Sequence, residues 1–376
     1  MLSYWEKSQM LHYDFIVVGG GITGLFCALS YRDKYPKATI AILERGLFSS
    51  GASTKNAGFA CFGSLTELID DSLKMDADTL LELVEFRIKG LEHLRKTLGD
   101  IAIDYQPLGG HELFFDSQPN ALEFLDYFNK LLKPIFNKTV YSLNNSKIKD
   151  FGFAQKHISN LIENPFEGQI NTGKMMNALR SKVNRSDIYF FSNAEVTHME
   201  SHENHQDLMI LLGDHSIKLK CHKLAICNNA FASRFFPHID IKPGRGLVIV
   251  TKPIKTLRVK GCFHYNEGYY YFRNIDNRLM IGGGREQDIE IETTTEFGIN
   301  GAIKAKLIED LHKFILPTQK TPLEFEWSGI MAFGKNKTPI IKKSNENCAM
   351  GVRLGGMGIS IGSMVGKKTA ELLFDS

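Results

Sequence analysis

Three glycines, Gly19, Gly21 and Gly24, follow the apolar run Phe15–Val18, and an acid, Glu44, stands about 20 residues beyond the last of them. Each suits one part of a nucleotide diphosphate site. Gly19 permits a tight turn out of a strand. Gly21 lacks the Cβ that would block a pyrophosphate. Gly24 lets a helix pack on the strand. Ile22 and Thr23 then open that helix, whose first N–H groups and partial positive charge face an anion. Glu44 can accept both ribose hydroxyls, and its charge repels a 2′-phosphate; Arg45 follows it. The pattern predicts a strand over 15–18, a helix over 22–31 and a strand over 39–43. A dinucleotide is the expected ligand.

A second βαβ unit does not follow at once, as it would in an NAD domain. Instead comes a long loop of small and polar residues with Ser49, Ser50, Ala52, Ser53, Thr54, Asn56, Ala57 and Gly58, suited to close approach of a large planar ligand. Near the other end, Gly355, Gly356, Met357 and Gly358 form a glycine turn before a helix expected from near Ser363 to Leu373. Its outward N–H groups suit an anionic ring edge. IGGGREQD (281–288) has glycines after a strand but no helix behind them, so no second nucleotide site is expected.

Tyr269, Tyr270 and Tyr271 stand on a predicted strand. Alternation puts 269 and 271 on one face and 270 on the other. Arg273 falls with 269 and 271 and could anchor a carboxylate or form a surface ion pair. Arg353, two residues before the glycine turn, has the same two readings. His12, His111 and His264 lie nearest these motifs, and none has a carboxylate at useful spacing.

Elements must bring these residues together. The 376 residues suit two intimately packed domains. Periodicity predicts helix over 66–99 and 300–316 and antiparallel strands over 188–227. There are no repeats. The net charge of +3 is scattered, which argues against a nucleic-acid surface. No run of about 20 apolar residues suggests a membrane span, and the N-terminal stretch lacks a signal-peptide pattern. The six cysteines show no metal spacing. No metal site is expected, and reduced thiols in the cytoplasm are.

GGGITG (19–24), LERG (43–46) and GAS-x-x-NAG (51–58) together resemble the D-amino-acid oxidase superfamily, in its glycine oxidase, sarcosine oxidase and γ-glutamylputrescine oxidase branch. Weaker similarities continue along the chain. They include 168–179; 193–200, read as the continuation of the third flavin-domain strand, with Val196 against an adenine; 223–231, with Asn228; 242–251; 268–285; and 353–373. The resemblance implies an α/β fold: a Rossmann-like FAD-binding domain (1–85, 150–228, 330–376) interleaved with an α+β substrate domain of mixed or antiparallel sheet (86–149, 229–329). It implies FAD, held non-covalently because residues 327–334 contain no cysteine. It implies oxidation of the C–N bond of a small amine or amino acid by hydride transfer to flavin N5, with oxygen, a quinone or a protein as acceptor. The imine product then hydrolyses. Oxidation of a tRNA wobble uridine, and of a 2-hydroxy acid or polyol, are the alternatives. Two positions depart from the family pattern. Met331 stands where related amino-acid oxidases carry a carboxylate-clamping arginine, and Met280 where sarcosine oxidases carry an oxygen-activating lysine.

Overall fold

Residues Phe15 to Val18 are buried on both faces, the condition of a central parallel strand. In the computed structural model, which describes residues 1–115, 121–213 and 215–375, they belong to β1 (His12–Val18). Strand β2 (Ile40–Leu43) and the end of β11 (His215–Ile226) flank β1, both parallel to it. Strand β8 (Tyr189–Phe191) extends the sheet beyond β2 and β18 (Cys348–Val352) beyond β11, again in parallel; β17 (Ile340–Asn345) closes the edge antiparallel. Phe15 and Val17 pack under the helices Ile22–Lys34 and Thr172–Arg185. Ile16 and Val18 point the other way, toward β9 (Glu195–Ser201), β10 (Gln206–Leu212) and the early part of β11, which form an antiparallel arm.

The second sheet runs β16 (Leu323–Phe333), β12 (Lys242–Thr251), β15 (Arg278–Gly283), β14 (Tyr270–Ile275), β13 (Cys262–Tyr265), β4 (Gly110–Phe114), β6 (Asn160–Asn164), β5 (Ser142–Leu143). Only the β13–β4 pair is parallel. The short pair β3 (Phe59–Ala60) and β7 (Gly168–Gln169) completes the strands. Along the chain, strands of the two sheets alternate. Strand β6 lies in the second sheet, inside a stretch expected to serve the first, because its backbone pairs with β4.

Local expectations changed in four places. The helical stretch over 66–99 is two helices, Leu65–Ser72 and Ala77–Leu98. Asp76 starts the second by accepting the Thr79 N–H at 2.8 Å, and Gly99 ends it at φ +86°. The stretch over 300–316 is helical to Asp310 and finishes in a π-turn, Leu311–Ile315. After β8 the chain turns at Asn193 (φ +54°), so residues 195–201 join the antiparallel arm instead of continuing the parallel strand. The last helix begins at Gly358, directly on the glycine turn.

That last helix, Gly358–Glu371, is wedged between two others. A Cβ on Gly366 would stand 2.3 Å from the Thr23 carbonyl oxygen, and one on Gly90 would stand 2.0 Å from that of Ser360. Ser363 Oγ donates to Gly90 O at 2.5 Å, and Ser360 Oγ donates to Cys61 O. All six cysteines are buried and unpaired by disulfides. No helix among the described residues is long and apolar enough to cross a membrane.

Candidate active site

The turn after β1 closes tightly: a Cβ on Gly24 would lie 1.9 Å from Gly19 O, so only glycine lets this helix start so close to the strand. Ser53 Oγ accepts the Ile22 N–H at 2.9 Å and occupies one of the unpaired donors of the helix start. Glu44 is buried at the end of β2. Its Oε2 accepts the Gly20 N–H at 3.0 Å; its Oε1 accepts Gly46 N–H and Ser50 Oγ, both at 2.9 Å. A carboxylate has about four acceptor sites, so capacity remains at Oε2. Asn56 is spent inside its own loop: it donates to Ala52 O and Ser53 O and accepts from Gly58 N and Thr172 Oγ1.

These residues border a cavity of about 560 Å³. Gly19, Gly21, Ile22, Thr23, Glu44, Arg45, Ser50, Ala52, Ser53, Asn56, Ala57 and Gly58 line it, as do Val196 and Asn228. Arg45 stacks 3.8 Å over the Phe231 ring. Asn228 Oδ1 is buried without a hydrogen-bond partner, an acceptor left open at the cavity wall.

Gly355, Gly356, Met357 and Gly358 line the same cavity. Gly355 (φ +56°) and Gly356 (φ +84°) make the left-handed turn that ends β18's excursion and starts the helix. A Cβ on Gly355 would meet nothing within 4 Å, and one on Gly356 only Met331 Sδ at 3.9 Å. Bare backbone therefore faces open space here. Arg353 does not. Its guanidinium donates to Asp240 Oδ2 at 2.5 Å, Asn336 Oδ1 at 2.9 Å and Thr338 O at 2.7 Å. These bonds hold a non-glycine residue at φ +64°. Arg353 braces the turn from behind.

Strands β12, β14, β15 and β16 form the opposite wall. Tyr269 and Tyr271 line it, as alternation predicts; Tyr270 points to the other side of the sheet. There it stacks on Tyr265 at 4.8 Å and accepts from Gln287 Nε2 at 2.6 Å. Burial pushes the Tyr271 hydroxyl up to about 12, so it stays a neutral donor. Arg273 shares the tyrosines' face but is capped by the loop below: it donates to Gly58 O at 3.0 Å and Ile170 O at 2.8 Å and does not line the cavity. Met280 packs in a small apolar cluster with Ala57, Val248 and Val250, also off the cavity lining. Met331 lines the cavity. Its Cε would lie 2.8 Å from a Cβ on Gly246, so the bare backbone of β12 makes its place.

Arg285 escaped the sequence reading. It follows β15, lines the cavity, and stacks 4.2 Å over Phe333. Among the described residues it forms no ion pair; Glu292 is taken by Arg245 at 2.8 Å. Burial lowers its pKa, the mark of a guanidinium short of solvent. The signal was present, since the arginine ends the glycine run 282–284. His264 also lines the cavity, buried beside Phe59 with ring centres 5.0 Å apart. Burial lowers its pKa, so it is neutral at pH 7.

The family model DAO, FAD dependent oxidoreductase, matches residues 14–372. The chain belongs to this family. A D-amino acid dehydrogenase of Helicobacter pylori is 22% identical to this DAO-family chain, over 96% of it and 95% of the relative. Among solved structures, glycine oxidase from Geobacillus kaustophilus superposes with a TM-score of 0.78 at 17% identity, covering 97% of this chain and 95% of the other. L-proline dehydrogenase from P. horikoshii gives 0.75 at 15%, covering 96% and 92%. At these identities the structural likeness is one of fold. The residues present fit the family's FAD. The tightly closed glycine turn at the start of the Ile22–Lys34 helix, the open glycine turn at 355–356 and the orphaned Asn228 oxygen share one cavity with the partly free Glu44.

Proposed function

We propose that this chain binds FAD non-covalently and oxidises the C–N bond of an amino acid whose carboxylate is held by Arg285. The observation that carries the substrate class is a guanidinium at the cavity wall, partly desolvated and, among the described residues, in no ion pair. Such a group favours an anion, and its planar fork suits a carboxylate. It would do the work of the clamp missing at Met331, from another strand. When bound, the flavin supplies the two-electron acceptor for the oxidation.

The chain's own residues would hold and shield the substrate. Glu44, Asn228 and the first turn of the Ile22–Lys34 helix hold the nucleotide portion, and Gly356 and Gly358 offer backbone donors to the ring, since the Gly355 and Met357 N–H groups are taken by Ala332 O and Leu354 O. Tyr269, Tyr271, Met331 and Phe333 wall the substrate end and exclude water, which keeps a reactive imine from hydrolysing too early. Neutral His264 adds no positive charge near a substrate amine that must lose its proton. The buried free thiols suit a reducing compartment such as the cytoplasm.

The test is anaerobic bleaching of the yellow protein by a panel of D- and L-amino acids, N-methyl amino acids, simple amines and 2-hydroxy acids. Bleaching by amino acids is expected, with amines lacking a carboxylate far weaker. Bleaching by hydroxy acids alone would move the reaction from C–N to C–O. Admitting oxygen afterwards separates an oxidase, which recolours at once, from a dehydrogenase, which stays pale until a quinone is added.

A further inference from the structure

The hairpin between β9 and β10 carries His202, His205 and Asp207, at the end of β9 away from the cavity residues Glu195 and Val196. Their candidate ligand atoms all lie within 4.8 Å of one another. The turn is pinned by His202 N–H donating to His205 O at 2.9 Å. The two imidazole rings stack at 4.4 Å, nearly parallel, with both Nε2 atoms toward one carboxylate. His202 Nε2 is 3.6 Å from Asp207 Oδ2, and His205 Nε2 is 3.4 Å from Asp207 Oδ1. Those separations are long for charge-assisted hydrogen bonds. They match the ligand–ligand edge of a tetrahedral metal site, about 3.3–3.6 Å for metal–ligand bonds of about 2.0–2.2 Å; because an ion must lie in the plane of each imidazole that binds it, one ring would turn about χ2 out of the stack to take it.

A second observation points the same way. The Asp207 side chain is only 7% exposed, and its Oδ1 is buried with no hydrogen-bond partner. Lys218 Nζ holds the other oxygen, Oδ2, at 2.9 Å and so orients the carboxylate, while Oδ1 has no hydrogen bond and only the Lys220 ammonium 4.0 Å away. Glu200 Oε2 lies 3.8 Å from His202 Nε2, at the edge of the cluster.

We propose that His202, His205 and Asp207 form a binding site for one divalent transition-metal ion of the zinc type. Two imidazoles and a carboxylate suit zinc, nickel or copper and disfavour magnesium or calcium, which take oxygen shells. The ion would clip a hairpin already tied to the β17–β18 turn, where Asn345 Nδ2 donates to Ser201 Oγ and Asn347 Nδ2 to Glu203 O, both at 3.1 Å. The expected role is structural.

Equilibrium dialysis of the full-length, flavin-loaded protein against Zn²⁺, with bound metal counted by atomic emission, tests this. One ion per chain is expected. His202→Ala/His205→Ala should weaken binding at least about ten-fold, with flavin content and circular dichroism unchanged, and Asp207→Asn should do likewise. His222→Ala is the control. Its Nδ1 lies 3.5 Å from Asn204 O on the same surface, and its Zn²⁺ affinity should match the parent. In the unmutated protein, Co²⁺ should give tetrahedral visible bands that Zn²⁺ displaces. Absence of stoichiometric binding to the parent, or undiminished affinity in the double variant, would overturn the proposal.

Discussion

Arg285 and Arg273 show how much a few ångströms decide. Both are arginines at the substrate sheet, both with pKa lowered by burial. Arg273 meets two backbone carbonyls and is spent; Arg285 meets an aromatic face and keeps its fork for a ligand. Arg285→Met should therefore raise KM for amino acids about 10- to 100-fold, the worth of a charge-assisted hydrogen bond, and leave amines without a carboxylate nearly unchanged. Arg285→Lys should recover only part, because an ammonium cannot form the paired contact. Steady-state kinetics on the two substrate types reads both. Arg353 shows the same limit of the sequence. Its place beside the glycine turn was legible, but its partners Asp240, Asn336 and Thr338 lie 113, 17 and 15 positions away, and only the finished fold brings them to one side chain. The tyrosines were legible because strand alternation is a local rule.

Among elements, the loop from Phe62 to Thr66 depends on two buried acids. Glu167 accepts the Phe62 and Gly63 N–H groups at 3.0 and 3.2 Å, and Glu112 accepts Ser64 Oγ at 3.1 Å and the Thr66 N–H at 3.2 Å. Burial pushes both carboxyls up to about 7 from an ordinary 4.5, against the pull of those bonds. Between those two values the folded chain keeps protons that the unfolded chain has lost. Their stabilising share is full below about 4.5 and is lost as pH rises to about 7. His111, pushed down to about 4 by burial, acts in the opposite sense at lower pH. The difference between Glu167→Gln and the parent isolates the acid: the variant should gain relative stability as pH rises from about 5 to about 7.5. Urea midpoints at several pH values measure it. The helix contacts predict a second effect. Gly366→Ala forces a methyl group toward the Thr23 carbonyl and should cost about 1–3 kcal/mol, seen as a lower urea midpoint with unchanged slope. None of this was readable beforehand. The strand–turn–helix after β1 was, because its contacts join residues a few positions apart. The acids and the helix wedge join residues far apart in sequence.

For the whole molecule, one cavity takes walls from both sheets and from both ends of the chain. A protein cut after Val352 should be colourless and take up no FAD, though the entire Gly19–Glu44 motif is present. Adding FAD to the purified fragment and following flavin fluorescence tests this. In the full chain, the proposed non-covalent binding predicts that acid precipitation leaves all yellow colour in the supernatant; a coloured pellet would mean a covalent link. The DAO family assignment and the parallel sheet were within reach of the sequence because the fingerprint is contiguous. The strand β6 that crosses into the second sheet was not, because pairing partners are set by the finished fold.

The hydrogen bond from Ser360 to Cys61 joins residues 299 positions apart. A ribosome makes the proposed diphosphate cradle long before the glycine turn proposed for the flavin ring. On that reading the pigment can be captured only after both have been made, and until then the long apolar strands wait without the ligand that would brace them. In cells starved of riboflavin, the ligand-free protein should be the species most exposed to proteases.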